Sequence, residues 1–94
     1  MIDQSTQRKF EELKTLVSLN RLQILDLLRQ GETCVCEIVS ATGLKHNLVS
    51  HHLKVLSDLN YVASQKDGLH NLYHLTPEKK QNINQLFKYI RAYE

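Results

Sequence analysis

Residues 42–75 read TGLKHNLVSHHLKVLSDLNYVASQKDGLHNLYHL, and the fold turns on this stretch. Its apolar period changes halfway. From about His46 to Asn60, Val49, Leu53 and Leu56 fall on one helical stripe, with Leu48, His52, Val55 and Leu59 beside it. Beyond it, the strand-like runs 61–66 and 70–75 flank Asp67-Gly68, a hairpin signal. In front of the helix, Thr42-Gly43-Leu44 forms the tight turn of a helix-turn-helix.

Working outward, Thr33 is expected to cap a short helix through about Thr42, with Gly43 as its stop. Asn20 is expected to cap the helix before it, which carries Leu22, Leu25 and Leu28 and ends at Gly31. Residues 5–19, with Phe10, Leu13, Leu16 and Val17 at helical spacing, predict an amphipathic first helix. After the hairpin, Thr76 caps, Pro77 takes the first helical position, and Glu78 suits the positive end of the helix dipole. That last helix shows Ile83, Leu86, Phe87 and Ile90 on one face, broadened by Tyr89 and Tyr93. The predicted fold is mainly α with a small β-hairpin: a winged helix-turn-helix of four helices, two strands and a helix, in a single domain over residues 1–94.

A chain of 94 residues, 41% hydrophobic and 23% charged, has the composition of one ordinary globular domain. No apolar run is long enough to span a membrane, and residues 1–20 carry no signal-peptide pattern. The expected compartment is therefore the cytoplasm, where thiols stay reduced. The formal net charge of +2 is too small to mark a nucleic-acid binder, so the placement of the positive groups carries that argument.

The second helix of a helix-turn-helix lays its N-terminal residues in the DNA major groove. Here these are Lys45, His46, Asn47, Ser50 and His51. Asn reads adenine, Ser bonds to base or phosphate, and Lys adds charge. Lys54, a turn further on, is expected at phosphate, and Lys66 and His70 of the wing at the backbone or minor groove. The competing reading is a solvated polar face, but carboxylates are scarce there before Asp58. A winged-helix protein-interaction module without a DNA role would be expected to lose positive charge from this face, and the chain keeps Lys45, Lys54 and Lys66. Catalysis is not expected: there is no phosphate-cradling glycine loop, nucleophile elbow, acid pair or helical His-Glu-x-x-His.

Both cysteines, Cys34 and Cys36, lie in the stretch GETCVCEIV at residues 31–39. Thiolates are preferred ligands of soft ions such as As(III), Sb(III), Cd(II), Pb(II) and Cu(I). On a regular helix positions i and i+2 stand about 200° apart, whereas on an extended segment they share a face. One ion can therefore hold both thiols only if the start of that helix is unwound or distorts. Two other readings stand beside this one. The pair could be a thiol redox or reactive-sulfur switch, since a Cys-x-Cys disulfide closes a small strained ring. The thiols could also be small core residues.

Three segments, residues 20–25 (NRLQIL), 32–38 (ETCVCEI) and 49–56 (VSHHLKVL), together resemble the ArsR/SmtB family of small bacterial winged-helix repressors. The resemblance spans about residues 10–76. It implies a homodimer joined through the first and last helices, bound to double-stranded operator DNA with no cofactor. A metal or metalloid inducer at Cys34 and Cys36 would release the DNA, with As(III) or Sb(III) favoured. The chain departs from the family pattern in three ways. Where arsenic sensors of this type often carry a third cysteine, it has Val39; no cysteine precedes Cys34; and residues 76–80 (TPEKK) lack the Asp-x-His pair of zinc sensors, with no histidine after His74. The third ligand is left among Glu37, a histidine, an exogenous thiol and water.

Overall fold

In the computed structural model, which describes residues 1–92, the stripe of Val49, Leu53 and Leu56 becomes the centre of the core. The elements run α1 (Gln4–Leu16), α2 (Leu19–Gln30), α3 (Val35–Thr42), α4 (His46–Asp58), β1 (Val62–Asp67), β2 (His70–Leu75) and α5 (Pro77–Arg91). Ile24 and Leu25 of α2, Ile38 of α3, Val49, Leu53 and Leu56 of α4, and Ile83 of α5 are all buried and share one cluster. Tyr93, assigned above to the last helix, lies outside the described residues.

Two expected helix caps are revised, and a third stands where expected but without its side-chain bond. The first two helices break at Val17-Ser18, so Ser18 rather than Asn20 caps α2. The Ser18 side chain accepts from the Arg21 amide at 3.5 Å, and its carbonyl from the Leu22 amide at 2.8 Å. Asn20 is already inside the helix. Thr33 does not cap α3; Cys34 holds that position, in extended conformation and with no side-chain cap bond. Thr33 is drawn away by the sheet: it pairs with Tyr73 through two backbone hydrogen bonds, of 3.0 and 2.8 Å. Thr76 is the N-cap of α5, but its hydroxyl donates to the Asn60 carbonyl at 2.7 Å instead of capping. Asn60, with φ 65°, is already outside α4, which stops at Asp58.

The hairpin turn also shifts by one residue. Asp67 pairs with His70, so the loop is Gly68-Leu69. Only its first residue has positive φ (63°), the signature of a Gly-X turn rather than an Asp-Gly one. Between α3 and α4, Gly43 adopts φ 74° and its amide bonds to the Val39 carbonyl at 2.9 Å, closing the short helix as expected.

α1 is the least embedded element. Of its apolar residues only Leu16 is buried, while Phe10 and Leu13, and Val17 just beyond the helix, stay exposed. Polar links tie it down. The Tyr61 hydroxyl donates to Glu12 at 2.8 Å, and Lys79 lies 3.6 Å from the same carboxylate. Burial and the Glu12 carboxylate hold the Tyr61 phenol above its ordinary range.

Ile38 is fully buried between the helix that carries the cysteines and the helix behind the polar face. Ile38→Ala should destabilise the fold by about 2–5 kcal/mol. Urea unfolding should show a lower midpoint with an unchanged slope.

Candidate nucleic-acid interface and metal centre

All eight side chains expected at DNA are exposed: Lys45, His46, Asn47, Ser50, His51, Lys54, Lys66 and His70. Lys45 is the N-cap of α4, and its carbonyl accepts from the Leu48 and Val49 amides at 3.0 Å each. The first turn holds no acidic residue and no side-chain cap bond. Its positive dipole end suits an anion. Ser50 and Lys54 follow one helical turn apart, bordering a groove whose other wall includes Ser64 and Tyr73 of the wing. Lys54 is not wholly unencumbered, since its ammonium lies 3.3 Å from Asp58. Both groups are well exposed, and such a pair is weak enough to yield to phosphate. On the wing, Lys66 pairs across with Asn71, and Leu69 projects at the tip, fully exposed.

The thiols sit at the edge of this face. Cys36 is exposed and Cys34 half-buried, so neither is a core residue. Cys34 has extended backbone and Cys36 lies in the first helical turn, so the start of α3 is part-way to the unwound form that a shared ion needs. Glu37 reaches back to both neighbours: it accepts from the Thr33 hydroxyl at 2.8 Å and from the Cys34 thiol at 3.8 Å. Among the described residues, no three His, Cys, Asp or Glu side chains converge tightly enough to hold a metal ion. The donor set itself, two accessible thiols beside a carboxylate, suits a soft ion.

Behind the polar face is a contact that the sequence reading missed. His52 is buried, and its Nδ1 accepts from Arg21 Nε at 3.1 Å. Arg21 Nη1 also donates to the Thr15 carbonyl at 2.6 Å. Because Nδ1 accepts, the imidazole proton belongs on Nε2, which is buried without a partner. Burial first, then the charges of Arg21 and His51, hold the His52 pKa below its ordinary value. Paired His-His at positions 51–52 signalled two faces of a helix, but no local pattern marks Arg21, thirty-one residues away, as the partner.

A tight turn, an exposed polar helix start and a two-stranded wing define a winged helix-turn-helix regulator. Residues 18–64 match the family model described as "Bacterial regulatory protein, arsR family". The arsenical resistance operon repressor of Staphylococcus xylosus is 40% identical over 73 residues, covering 78% of this chain and 70% of that protein. HlyU from Vibrio cholerae N16961 superposes with a TM-score of 0.80 at 28% identity, over 94% of this chain and 97% of that one. The homodimeric winged helix-turn-helix DNA-binding domain Mb0332 from Mycobacterium bovis gives 0.76 at 27% identity, over 97% and 88%. The chain belongs to the ArsR family of DNA-binding transcriptional regulators. None of its described helices is long and apolar enough to cross a membrane.

The depressed His52 pKa sets a sign for pH dependence. The unfolded chain binds this proton near pH ~6.5, and the folded chain only at lower pH. His52 therefore contributes stability above that pH, and the contribution is lost as pH falls towards the folded pKa. The melting temperature should drop between about pH 7.5 and 5.5. His52→Gln, which cannot titrate, should flatten that part of the profile; an equally steep profile in the variant would assign the effect to other groups.

Proposed function

We propose that residues 1–94 form one winged-helix domain of a cytoplasmic homodimeric repressor. It binds operator DNA without a cofactor and releases it when As(III) or Sb(III) is taken by the Cys34 and Cys36 thiolates. The observation that carries this reading is the ETCVCEI segment at the start of α3: two accessible thiols, one residue apart, beside the helix that presents the polar face. The relatives named arsenical resistance operon repressor, 34–40% identical, support the choice of inducer.

In this reading Lys45, His46, Asn47, Ser50 and His51 enter the major groove, Lys54 meets phosphate, and Lys66 and His70 of the wing follow the backbone. Dimerisation uses α1 and α5. Phe10 (57% exposed), Leu13 (44%), Val17 (58%) and Ile90 (39%) leave apolar surface there that the single chain does not cover.

The test is operator release by the reduced protein, followed by fluorescence anisotropy. As(III) should release DNA from the wild type and not from the Cys34→Ser, Cys36→Ser double variant, whose operator affinity without inducer should match the wild type. Release of both proteins alike would overturn the assignment of the thiols. Release by oxidant or persulfide alone would make the pair a redox switch. Separately, Phe10→Glu should shift the protein to monomer in sedimentation and weaken operator binding at least tenfold, about 1.4 kcal/mol. Lys54→Gln, which removes one phosphate contact from each subunit of the dimer, should weaken binding to all sequences alike and lower the salt slope by about two.

A further inference from the structure

α4 buries Val49, His52, Leu53 and Leu56 along one stripe, and His52 is its polar member. Its Nδ1 accepts from Arg21 Nε at 3.1 Å. The same guanidinium donates from Nη1 to the Thr15 carbonyl at 2.6 Å, in the last turn of α1, where helix carbonyls need an outside donor. Arg21 itself lies in the first turn of α2, and its amide is the one that the Ser18 side chain caps. One planar fork, set by the break between the first two helices, thus joins α1 to α4. The contact is not the one that favours stability most. With Nδ1 accepting, the imidazole proton lies on Nε2, which is buried without a partner among the described residues, and an orphaned donor costs stability. His52→Leu would complete the apolar stripe and leave no such donor behind. What the imidazole supplies instead is direction, because a hydrogen bond fixes an angle that apolar packing leaves free.

We infer that Arg21 and His52 are positioning residues for operator recognition: the Thr15–Arg21–His52 link fixes α4 against α1 and so sets the half-site spacing that the dimer accepts. The inference rests on α4 as the DNA helix and α1 as a dimer helix, as proposed above, and adds the residues that join the two. Neither residue belongs to the polar face, since Arg21 is half-buried and His52 is buried. Both act through the angle of α4. Two α4 helices held at a fixed angle and separation enter two major grooves at one spacing only. With the link cut, each α4 still presents the same exposed side chains, so contact with a single half-site persists. What is lost is the simultaneous fit of both helices, and with it the discrimination between spacings.

The test uses the full chain and a duplex that the wild type selects from a random-sequence pool. The same duplex lengthened by a base pair between its half-sites, a single half-site and an unrelated duplex are run beside it. His52→Leu removes the acceptor, Arg21→Lys keeps the charge but not the planar fork, and His52→Asn returns an acceptor oxygen close to the place of Nδ1. His52→Leu and Arg21→Lys should bind the selected duplex at least about fivefold more weakly and discriminate less against the lengthened one. Both should bind the half-site and the unrelated duplex as the wild type does and remain dimers in sedimentation. His52→Leu should melt no lower than the wild type, and His52→Asn should recover affinity and discrimination. Wild-type affinity and spacing preference in both His52→Leu and Arg21→Lys would overturn the inference. So would a lowered melting temperature with an equal loss on every duplex, the pattern of a contact that only stabilises the fold. The underlying readings fail by other observations: wild-type binding by Lys54→Gln removes α4 from the DNA, and a Phe10→Glu protein that stays dimeric removes α1 from the dimer contact, and either result takes the inference with it.

Discussion

The eight residues of α3 are held at both ends, and the rest of the face is arranged around that constraint. At the N-terminal side Thr33 is locked to β2 by two backbone hydrogen bonds. At the C-terminal side Gly43 turns the chain in a left-handed conformation directly into α4. Between them Ile38 is packed with no exposed surface. A helix of about two turns, pinned in this way, has little room to absorb a change locally. A rearrangement at Cys34 and Cys36 must move either the close-packed contact around Ile38 or the exposed ribbon attached through Tyr73. Dense interiors resist deformation, while exposed two-stranded elements open at low cost. The wing is the softer path.

α4 is gripped from behind by a different kind of contact. Val49, Leu53 and Leu56 supply the apolar stripe, but His52 adds a directional link to Arg21, which also binds the Thr15 carbonyl of α1. Apolar packing alone tolerates small rotations of a helix; a buried hydrogen bond with fixed geometry tolerates far less. The orientation of α4 is therefore coupled to α1, an element with little buried apolar surface of its own in the single chain. In a dimer built on α1, the same link would set the angle and separation of the two recognition helices, which determine the spacing of DNA half-sites.

Most of the architecture was legible because it depends on periodicity and punctuation. The stripe through Val49, Leu53 and Leu56 and the glycine at position 43 each act locally, and the structure follows them, while the hairpin turn stands one residue on from Asp67-Gly68. Two of the misreadings share a cause. Thr33 and Thr76 are good capping residues by local rule, yet a bridge to Tyr73 and the Asn60 carbonyl claim them, and neither partner is near in sequence. Ser18 and Asn20 are both acceptable caps, and the break at Val17 decides between them. The positions on the polar face were readable from helical phase, because a surface helix presents its stripes predictably. The Arg21–His52 contact arises only when elements pack, so composition and spacing do not signal it, whereas Lys54 and Asp58 stand at i and i+4 of one helix, a pairing that spacing does offer.

Magnitudes bear on whether two thiols at a helix start can act on DNA. The angular mismatch between Cys34 and Cys36 is largest on an intact helix, but Cys34 already stands outside α3 in extended backbone. Bringing both thiols to one face requires unwinding only the first turn. The first hydrogen bond to be sacrificed there, from the Ile38 amide to the Cys34 carbonyl, is 3.2 Å long. Losing one or two such bonds to water costs about 0.5–1.5 kcal/mol each. Structural zinc sites with all their ligands in place contribute about 10–16 kcal/mol, several times that distortion. The limiting quantity is then how much of the distortion reaches the polar face of α4. The Thr33–Tyr73 bridge on one side and Ile38 on the other leave the first turn few ways to relax without moving the wing or α4. The start of the helix, rather than the helix as a whole, is the part that yields at least cost.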